Sequence, residues 1–340
     1  MSRFFIIITL LSIACKQPKP DAAQPSAAKI IFDTDMGSDC DDVGALALLH
    51  TYDDQGKAEI LGCTYSSGKV PYGAAIIQAI NIYRGRPQIA IGAYHQDDVG
   101  DPVDKMSAEK LAKDTFAFGH SIIHNDDAEN QTSMLRRLLI QQPDTSVTYL
   151  TVGHTKGLYD LLVSQPDKHS PLTGEELIQQ KIKKWVALGA LGAYNPDQQR
   201  RKDWNFFFNG TAPYTEYLVN NFPQKAIFID GGHTVMTGKS LKNTPKGNII
   251  RTAYRDWLWW HEKRTLDDQR PSWDLVATYY AIEGLGEYLE EAPAGYLDFN
   301  AESGCIWRTD SVNANQVFVL QKEGTDSLFA GYLNEMIIGD

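Results

Sequence analysis

Five aspartates within ten residues are the feature of this sequence that most clearly points to chemistry. They are Asp33, Asp35, Asp39, Asp41 and Asp42. Negative charges packed this closely repel one another unless water or a cation neutralises them. A solvated acidic run does not normally lie between two apolar segments, as this one does, so the pattern favours a cation site. Ca²⁺ and Mg²⁺ are the hard cations that prefer all-oxygen ligands.

The apolar residues on either side of the aspartates predict the elements that position them. Residues 30–32 are typical of a short buried strand and residues 43–49 of a helix, so the aspartates form the loop between the two. Further along, short apolar strands alternate with amphipathic helices, which predicts an α/β fold with a doubly wound, mostly parallel sheet. In such sheets ligands bind at the carboxyl ends of the strands, where the acidic loop would lie.

The predicted elements cover most of the chain after residue 28. Strands are predicted at 29–32, 58–64, 88–91, 146–152, 184–188 and 225–229. Helices are predicted at 41–51, 71–83, 131–141, 156–164, 211–220 and 273–283, with a closing helix at 327–338. The polar segment 95–130 predicts a long loop with a helix, and residues 295–299 and 316–320 predict a small antiparallel hairpin near the C-terminus.

Composition places the chain among ordinary globular proteins. It has 340 residues, 43% of them hydrophobic and 22% charged, which suffices for one large α/β domain. Its formal net charge of −11 argues against a nucleic-acid partner, because a phosphate backbone requires a basic surface. A small neutral or cation-assisted ligand fits this charge better.

The first residues predict a targeting segment. Arg3 precedes an apolar run at 4–13 that is too short to span a bilayer, and Cys15 follows a small residue. This pattern resembles a bacterial lipobox, with Ser12 where Leu is usual, and the alternative is an ordinary cleaved signal peptide. We therefore expect a lipoprotein-type signal at 1–15 with Cys15 lipidated, a flexible tether at 16–28 and a single domain at 29–340. The protein would then be anchored by lipid in the bacterial cell envelope, on the periplasmic or surface side.

The other three cysteines show no spacing typical of a metal site. Cys40, Cys63 and Cys305 are an odd number, and each lies in or beside an apolar or acidic segment. Burial as small hydrophobic side chains is the simplest interpretation.

Two familiar cation frameworks do not account for the acidic loop. An EF-hand numbered from Asp33 would have Gly37 at its fifth position and no glutamate at its twelfth. A phosphatase of the haloacid dehalogenase type begins with a strand that ends in Asp-x-Asp, but this would use only Asp33 and Asp35. The other three aspartates would then have no role.

A third framework uses nearly all of the aspartates. Residues 33–37 read Asp-Thr-Asp-Met-Gly, and Asp41 and Asp42 open an apolar helix. This resembles the Asp-x-Asp-Pro-Gly-x-Asp-Asp-Ala signature of the inosine–uridine-preferring nucleoside hydrolase family. Here Met36 replaces the proline, and two extra residues precede the paired aspartates. The insertion leaves open whether Asp39 or Asp41 takes the first of the paired roles.

The resemblance extends over most of the chain after the tether. Residues 150–158 are similar to a strand and turn of the family that supply a backbone carbonyl ligand to Ca²⁺. Residues 188–190, followed by Asn195 and by 203–205, resemble its ribose-binding stretch. Residues 270–274 resemble a segment that ends in a metal-binding aspartate.

The resemblance implies a calcium site and a general base. Asp35 would be the base and also a Ca²⁺ ligand, beside Asp42, Asp274 and the backbone carbonyl of Lys156. Asp33 would support these groups without touching the metal.

The resemblance also implies a set of sugar ligands. Asp41 or Asp39 would bind a ribose hydroxyl, and Asn195, Asp203 and Asn205 would bind the others. The implied reaction is Ca²⁺-dependent hydrolysis of the N-glycosidic bond of a ribonucleoside or similar ribosyl compound, as used in purine and pyrimidine salvage. Its transition state resembles an oxocarbenium ion, which nearby carboxylates stabilise.

Departures from the family pattern keep other functions open. Trp273 stands where many members have a histidine that protonates the leaving base, and Lys69 stands near an expected asparagine. Trp273 would either stack on a base or pack in the core. The alternatives are a hydrolase of another glycoside and a surface protein that captures nucleosides or sugars without turnover. For the aromatic segment 254–261 we favour core packing or subunit contact, so the protein is a candidate homo-oligomer.

Overall fold

The computed structural model describes residues 26–261 and 263–339. The predicted signal segment with Cys15, and most of the predicted tether, lie outside the described residues. Within the described ranges, no helix is both long and apolar enough to cross a membrane.

A nine-stranded sheet forms the centre of the molecule. Its strands, in spatial order, are β10 (Leu289–Glu291), β13 (Gln316–Gln321), β7 (Lys225–Asp230), β6 (Ile182–Leu188), β5 (Val147–Thr151), β1 (Ala28–Thr34), β2 (Ala58–Tyr65), β3 (Ala90–Ala93) and β4 (Glu129–Asn130). Neighbouring strands are parallel, except that β10 at the edge runs antiparallel to β13. The predicted mostly parallel α/β sheet is therefore confirmed.

Two smaller antiparallel pairs accompany the sheet. They are β11 (Tyr296–Asn300) with β12 (Gly304–Arg308), and β8 (Met236–Thr237) with β9 (Arg270–Pro271). The first pair confirms the predicted C-terminal hairpin but corrects its second strand. Residues 316–320 join the main sheet instead, because a continuous apolar run suits a strand covered on both faces rather than a solvated hairpin.

Helices cover both faces of the sheet. They are α1 (Asp41–Asp54), α2 (Gly73–Tyr83), α3 (Ala108–Lys113), α4 (Thr115–Phe118), α5 (Gln131–Ile140), α6 (Lys156–Leu162), α7 (Gly174–Lys181), α8 (Ala212–Asn221), α9 (Ile249–Trp260), α10 (Trp273–Glu283) and α11 (Asp326–Met336). One core lies under α1, α2, α9, α10 and α11, and the other under α5 to α8. Side chains of β1 alternate between the two, since Ile30 and Phe32 join the first core and Ile31 the second.

The order of the strands fixes where a ligand site would lie. The chain runs from β1 outward through β2, β3 and β4, and then returns to the other side of β1 to build β5, β6 and β7. Strand order therefore reverses between β1 and β5, and loops leave the carboxyl ends of these two neighbours in opposite directions. Such a reversal opens a crevice at that edge, which is where ligands bind in doubly wound sheets.

The core under α5 to α8 is organised around Trp185. This fully buried side chain on β6 contacts the rings of Phe206, Phe222 and Phe228, with ring centroids 5.4–6.1 Å away. Its indole N–H donates to the Thr151 hydroxyl at 3.0 Å, so its polar atom is satisfied. Cys40, Cys63 and Cys305 are free and buried, as expected from the sequence.

We predict that Trp185→Ala lowers the free energy of unfolding by about 3–5 kcal/mol, because it leaves a cavity among three aromatic rings. Urea denaturation followed by circular dichroism measures this change. Phe116→Ala is the matched control, since the Phe116 ring is fully exposed and its removal should change stability by less than about 0.5 kcal/mol. Equal effects of the two variants would show that Trp185 does not organise this core.

Candidate functional site

A cavity of about 420 Å³ lies at the reversal point of the sheet. The floor is formed by residues that follow β1, β5 and β6, together with the first residues of α1 and α10. The lining residues include Asp35, Asp39, Asp41, Asp42, Asp101, Lys105, Val152, Leu188, Gly189, Asp203, Trp204, Asn205, Trp257, His261, Arg264, Arg270, Trp273 and Asp274. Thus the acidic loop and the distant 270–274 segment, which the sequence analysis assigned to one site, meet in one cavity.

Four carboxylates form a compact group on the cavity floor. Asp39, Asp41, Asp42 and Asp274 each place an oxygen within 4.8 Å of the others, and such a group could hold a metal ion. Asp41 and Asp42 open α1, and Asp274 lies in the first turn of α10. Helix N-termini carry partial positive charge, which favours carboxylates at these positions.

The group carries more negative charge than the protein around it compensates. Burial raises the pKa of Asp42 and Asp274 well above the usual range, and the neighbouring carboxylates raise it further. Among the described residues, no lysine or arginine lies within ion-pair distance of either carboxylate. A divalent cation would favour the ionised forms, so this set of oxygen donors fits a hard metal ion.

Arg270 is the basic side chain in direct contact with the group. Its guanidinium lies 3.2 Å from Asp39 Oδ1 and 2.9 Å from Asp41 Oδ1. Burial alone would raise the pKa of Asp39, but the Arg270 charge and the hydrogen bonds it donates hold that pKa below its usual value. The pKa of Asp41 remains raised by burial despite the same guanidinium.

Asp35 lies beside the compact group and not within it. It follows β1, is 6% exposed and lines the cavity. A Cβ on Gly153 would lie 2.4 Å from the Asp35 nitrogen, so only glycine allows the turn after β5 to approach this closely. Burial raises the pKa of Asp35 well above its usual value, and repulsion from Asp39 and Asp41 adds to the effect.

His154 was not singled out for this position by the sequence. Its Nε2 is 3.3 Å from Asp35 Oδ2, without hydrogen-bond geometry, and its Nδ1 faces the Asn205 carbonyl at 3.4 Å. Burial lowers the pKa of His154 to about 4, so the ring is neutral at pH 7. It is therefore poorly suited to protonate a leaving group.

Asp33 lies behind the cavity and does not line it. Its carboxylate accepts a hydrogen bond from the Tyr149 hydroxyl at 2.8 Å and another from the Ser66 hydroxyl. Burial raises its pKa to about 7, against the lowering effect of these two donors. This position agrees with a supporting role, which stays a prediction.

Two of the predicted sugar ligands lie in the cavity. Asp203 accepts hydrogen bonds from the backbone N–H groups of Ala190 at 2.9 Å and Phe206 at 2.8 Å, and burial raises its pKa to about 6. Asn205 donates to the Val152 carbonyl at 2.7 Å. Both side chains line the cavity.

Two other predicted ligands lie elsewhere. Asn195 donates to the carbonyls of Gly192 and Gln199 at 2.8 and 3.0 Å, so its amide organises a loop. The Lys156 ammonium pairs with Asp160 and lies 4.7 Å from the Tyr94 ring. Neither Asn195 nor Lys156 is among the described residues that line the cavity, and their predicted contacts with sugar and metal stay predictions.

Aromatic and basic side chains form a belt along the cavity lining, and most of them could not be predicted from the sequence. The Arg270 guanidinium lies 5.5 Å from the Trp273 ring and 4.5 Å from the Trp257 ring. The Trp257 ring stacks on His261 at 4.9 Å. On the other side, the Lys105 ammonium is 5.3 Å from the Trp204 ring.

The sequence analysis favoured core or subunit contact for residues 254–261. The helix does bury Tyr254 and Leu258 in the core, but Trp257 and His261 reach the cavity. The spacing of four residues in the sequence places Trp257 and His261 on one face of a helix, but it does not indicate that this face points to the cavity.

No protein-family model matches this sequence, and no curated protein matches it. Solved structures do match over nearly the whole chain. A plant nucleoside hydrolase superposes with a TM-score of 0.66 at 14% identity, covering 92% of this chain and 99% of its own. This fold is the nucleoside hydrolase fold.

Two further structures share it. The inosine–uridine preferring nucleoside hydrolase from Bacillus anthracis has a TM-score of 0.62 at 16% identity, covering 91% of this chain and 99% of its own. The type III effector protein XopQ, complexed with adenosine diphosphate ribose, has a TM-score of 0.60 at 10% identity, covering 93% and 94%. The expected fold is thus confirmed, while identities this low carry no evidence of activity.

We predict that a divalent cation stabilises the folded protein through the compact acidic group. Calcium at a hundred times its dissociation constant should add about 2.7 kcal/mol, which raises Tm by about 4 °C for a chain of this size. Differential scanning calorimetry, with and without a chelator, measures the shift.

Asp274→Asn should abolish the shift and leave the metal-free Tm unchanged or higher, because it removes one buried like charge. Asp144→Asn, which alters an exposed carboxylate paired with Lys181, should retain the full shift. A calcium shift that survives Asp274→Asn would rule out this site as its origin.

Proposed function

We propose that this protein hydrolyses the N-glycosidic bond of a ribonucleoside or a similar ribosyl compound and that it uses Ca²⁺. The observation that carries the proposal is the position of Asp35 beside four carboxylates, in a cavity at the reversal point of a nucleoside hydrolase fold. A candidate general base, a candidate metal-binding group and candidate sugar ligands therefore line one cavity.

The acidic group offers the oxygen ligands that Ca²⁺ prefers. Asp42 and Asp274 are the proposed side-chain ligands, with Asp35 beside them. A bound calcium ion would lower the pKa of a coordinated water and polarise the sugar diol. Mg²⁺ uses similar oxygen donors but demands stricter geometry, so a comparison of the two ions tests the choice.

Asp35 is the proposed acceptor for the proton of the attacking water. The approach of Gly153 fixes its backbone, and the neutral His154 ring, with Nε2 3.3 Å from Asp35 Oδ2, limits the movement of its side chain. A general base held in this way contributes through both proton transfer and orientation.

Asp203 and Asn205 are the proposed ligands of the ribose hydroxyls. Each is already held by backbone groups, Asp203 by two N–H donors and Asn205 by the Val152 carbonyl. Their remaining lone pairs can accept hydrogen bonds from a sugar without a change of rotamer. The carboxylates of the cavity would also stabilise the positive charge that develops on the sugar.

The belt of Trp257 and Trp273 is the proposed site of the leaving base. Flat apolar rings can bury a nucleobase by stacking on it. Trp273 occupies the position expected for the leaving-group histidine. Substrates with good leaving groups therefore fit this cavity better than those that require an acid.

Release of free ribose from a panel of nucleosides tests the proposal directly. We expect turnover with Ca²⁺ and a loss of about a hundred- to ten-thousand-fold in kcat for Asp35→Asn, since the amide cannot accept the proton. Asp35→Ala should lose at least as much.

The control is Asp267→Asn, which alters an exposed carboxylate bound to Lys242 and should keep full activity. Undiminished turnover in both Asp35 variants would remove Asp35 from the mechanism. Absence of turnover in the wild type, with intact calcium binding, would favour capture without hydrolysis.

A second candidate function is the binding of a ribosyl ligand that carries an anionic group. Lys105 and Arg264 line the cavity near the aromatic belt, and XopQ, which shares the fold, is complexed with adenosine diphosphate ribose. A basic side chain beside an aromatic ring can bind a phosphate while the ring stacks on a base.

Adenosine diphosphate ribose and adenosine distinguish this candidate by isothermal titration calorimetry. If Lys105 contacts a phosphate, Lys105→Gln should weaken binding of the diphosphate compound by about ten- to a hundredfold and leave adenosine nearly unaffected. Lys242→Gln, at an exposed site outside the cavity, should change neither affinity. Equal weakening of both ligands would contradict a phosphate contact.

A further inference from the structure

Arg270 places a positive charge inside the acidic group that the metal would occupy. The side chain is 1% exposed, and a buried arginine requires acceptors for all of its donors. Two of its acceptors are informative because they belong to the two residues by which the acidic loop exceeds the nucleoside hydrolase signature.

Both of these residues, Asp39 and Cys40, contact the guanidinium. One terminal nitrogen lies 3.2 Å from Asp39 Oδ1, and the other donates to Asp39 Oδ2 at 3.3 Å, which makes a two-pronged contact. The Cys40 sulfur accepts a weak hydrogen bond at 3.8 Å. The insertion and Arg270 therefore form one structural unit.

The same guanidinium also holds Asp41. Its Nη2 lies 2.9 Å from Asp41 Oδ1, while Asp41 Oδ2 accepts the backbone N–H of Asp274 at 3.4 Å. Each oxygen of Asp41 thus has one partner in the protein and keeps a lone pair for a sugar hydroxyl, while the nearby guanidinium charge opposes a metal ion there. Asp42 differs, because its contact is with the Thr34 hydroxyl and it meets no basic group among the described residues.

Arg270 itself has little freedom to move. Its Nε donates to the Pro271 carbonyl at 2.9 Å, and its backbone belongs to β9, which pairs with β8 at Thr237. The flat guanidinium lies near the rings of Trp257 and Trp273. Because the guanidinium is held in this way, it can also hold the carboxylates that it contacts in fixed positions.

We propose that Arg270 is a positioning residue that withholds Asp39 and Asp41 from the metal and leaves Asp42 and Asp274, with Asp35, to bind a single divalent cation. The inference rests on the proposed function for the metal site. It also answers the question raised by the insertion: Asp39 is the counter-ion of Arg270, and Asp41 is the carboxylate held beside the metal for the sugar.

We expect that removal of the Arg270 side chain strengthens calcium binding. Arg270→Gln removes a competing positive charge and releases two carboxylates that already lie within 4.8 Å of Asp42 and Asp274. Calcium should therefore bind at least about tenfold more tightly, because additional carboxylates join the site. General damage to the site would weaken binding instead.

Isothermal titration calorimetry of the purified protein with CaCl₂ measures this change. Arg270→Lys keeps the charge but lacks the planar fork, so it should hold the two carboxylates less rigidly and give an intermediate gain in affinity. In the background of intact Arg270, Asp41→Asn should weaken calcium binding by less than about tenfold and Asp42→Asn by at least about a hundredfold.

The Asp39→Asn/Arg270→Gln double variant keeps the net charge of the acidic group. It therefore distinguishes the effect of the Arg270 charge from the effect of Arg270 on the position of Asp41. If Arg270 acts by holding Asp41, Arg270→Gln lowers the rate of ribose release and the double variant stays impaired, whereas pure neutralisation would restore the rate in the double variant. Unchanged or weaker calcium binding in folded Arg270→Gln overturns the proposal.

Equal losses of affinity in Asp41→Asn and Asp42→Asn also overturn it, and this comparison stands even if Arg270→Gln does not fold. A wild-type protein that binds no divalent cation would instead remove the proposed metal site itself, so the two failures are distinguishable.

Discussion

The repulsion among buried carboxylates is the constraint on which the rest of this structure depends. Asp35, Asp41, Asp42 and Asp274 are all nearly inaccessible to water, and burial raises the pKa of each. Three features of the fold compensate part of this repulsion: the N-termini of α1 and α10, the Arg270 guanidinium, and the Thr34 hydroxyl on β1, which donates to Asp42. Each compensates part of the negative charge, and a divalent cation could neutralise the charge that remains.

The fold brings these features together because two distant segments share one edge of the sheet. The acidic loop leaves β1 at the reversal point, and the segment before α10 crosses to meet it. α1 and α10 then pack side by side in the same core, so their N-termini point to the same place. Stability and site geometry are therefore linked, since a shift of either helix would separate Asp42 from Asp274.

Much of this could be predicted from the sequence. The apolar runs before Asp33 and after Asp274 predicted the elements, and the spacing of the aspartates predicted a site beside them, because periodicity and charge are local properties. The partner of residues 316–320 could not be predicted, since strand pairing depends on which face is covered. The positions of the Arg270 and Trp257 side chains in the cavity could not be predicted either, because each depends on the direction in which the side chain points from its strand or helix. Asn195 matched by pattern, yet its amide is used within its own loop.

The tryptophans of the aromatic belt also give the cavity an intrinsic fluorescent reporter. Of seven tryptophans in the chain, Trp204, Trp257 and Trp273 border the cavity, and two of these lie beside a guanidinium. Indole emission responds to nearby charge and to stacking against a bound ring. A ligand that stacks on these rings or displaces the charge beside them therefore changes the fluorescence of the unmodified protein.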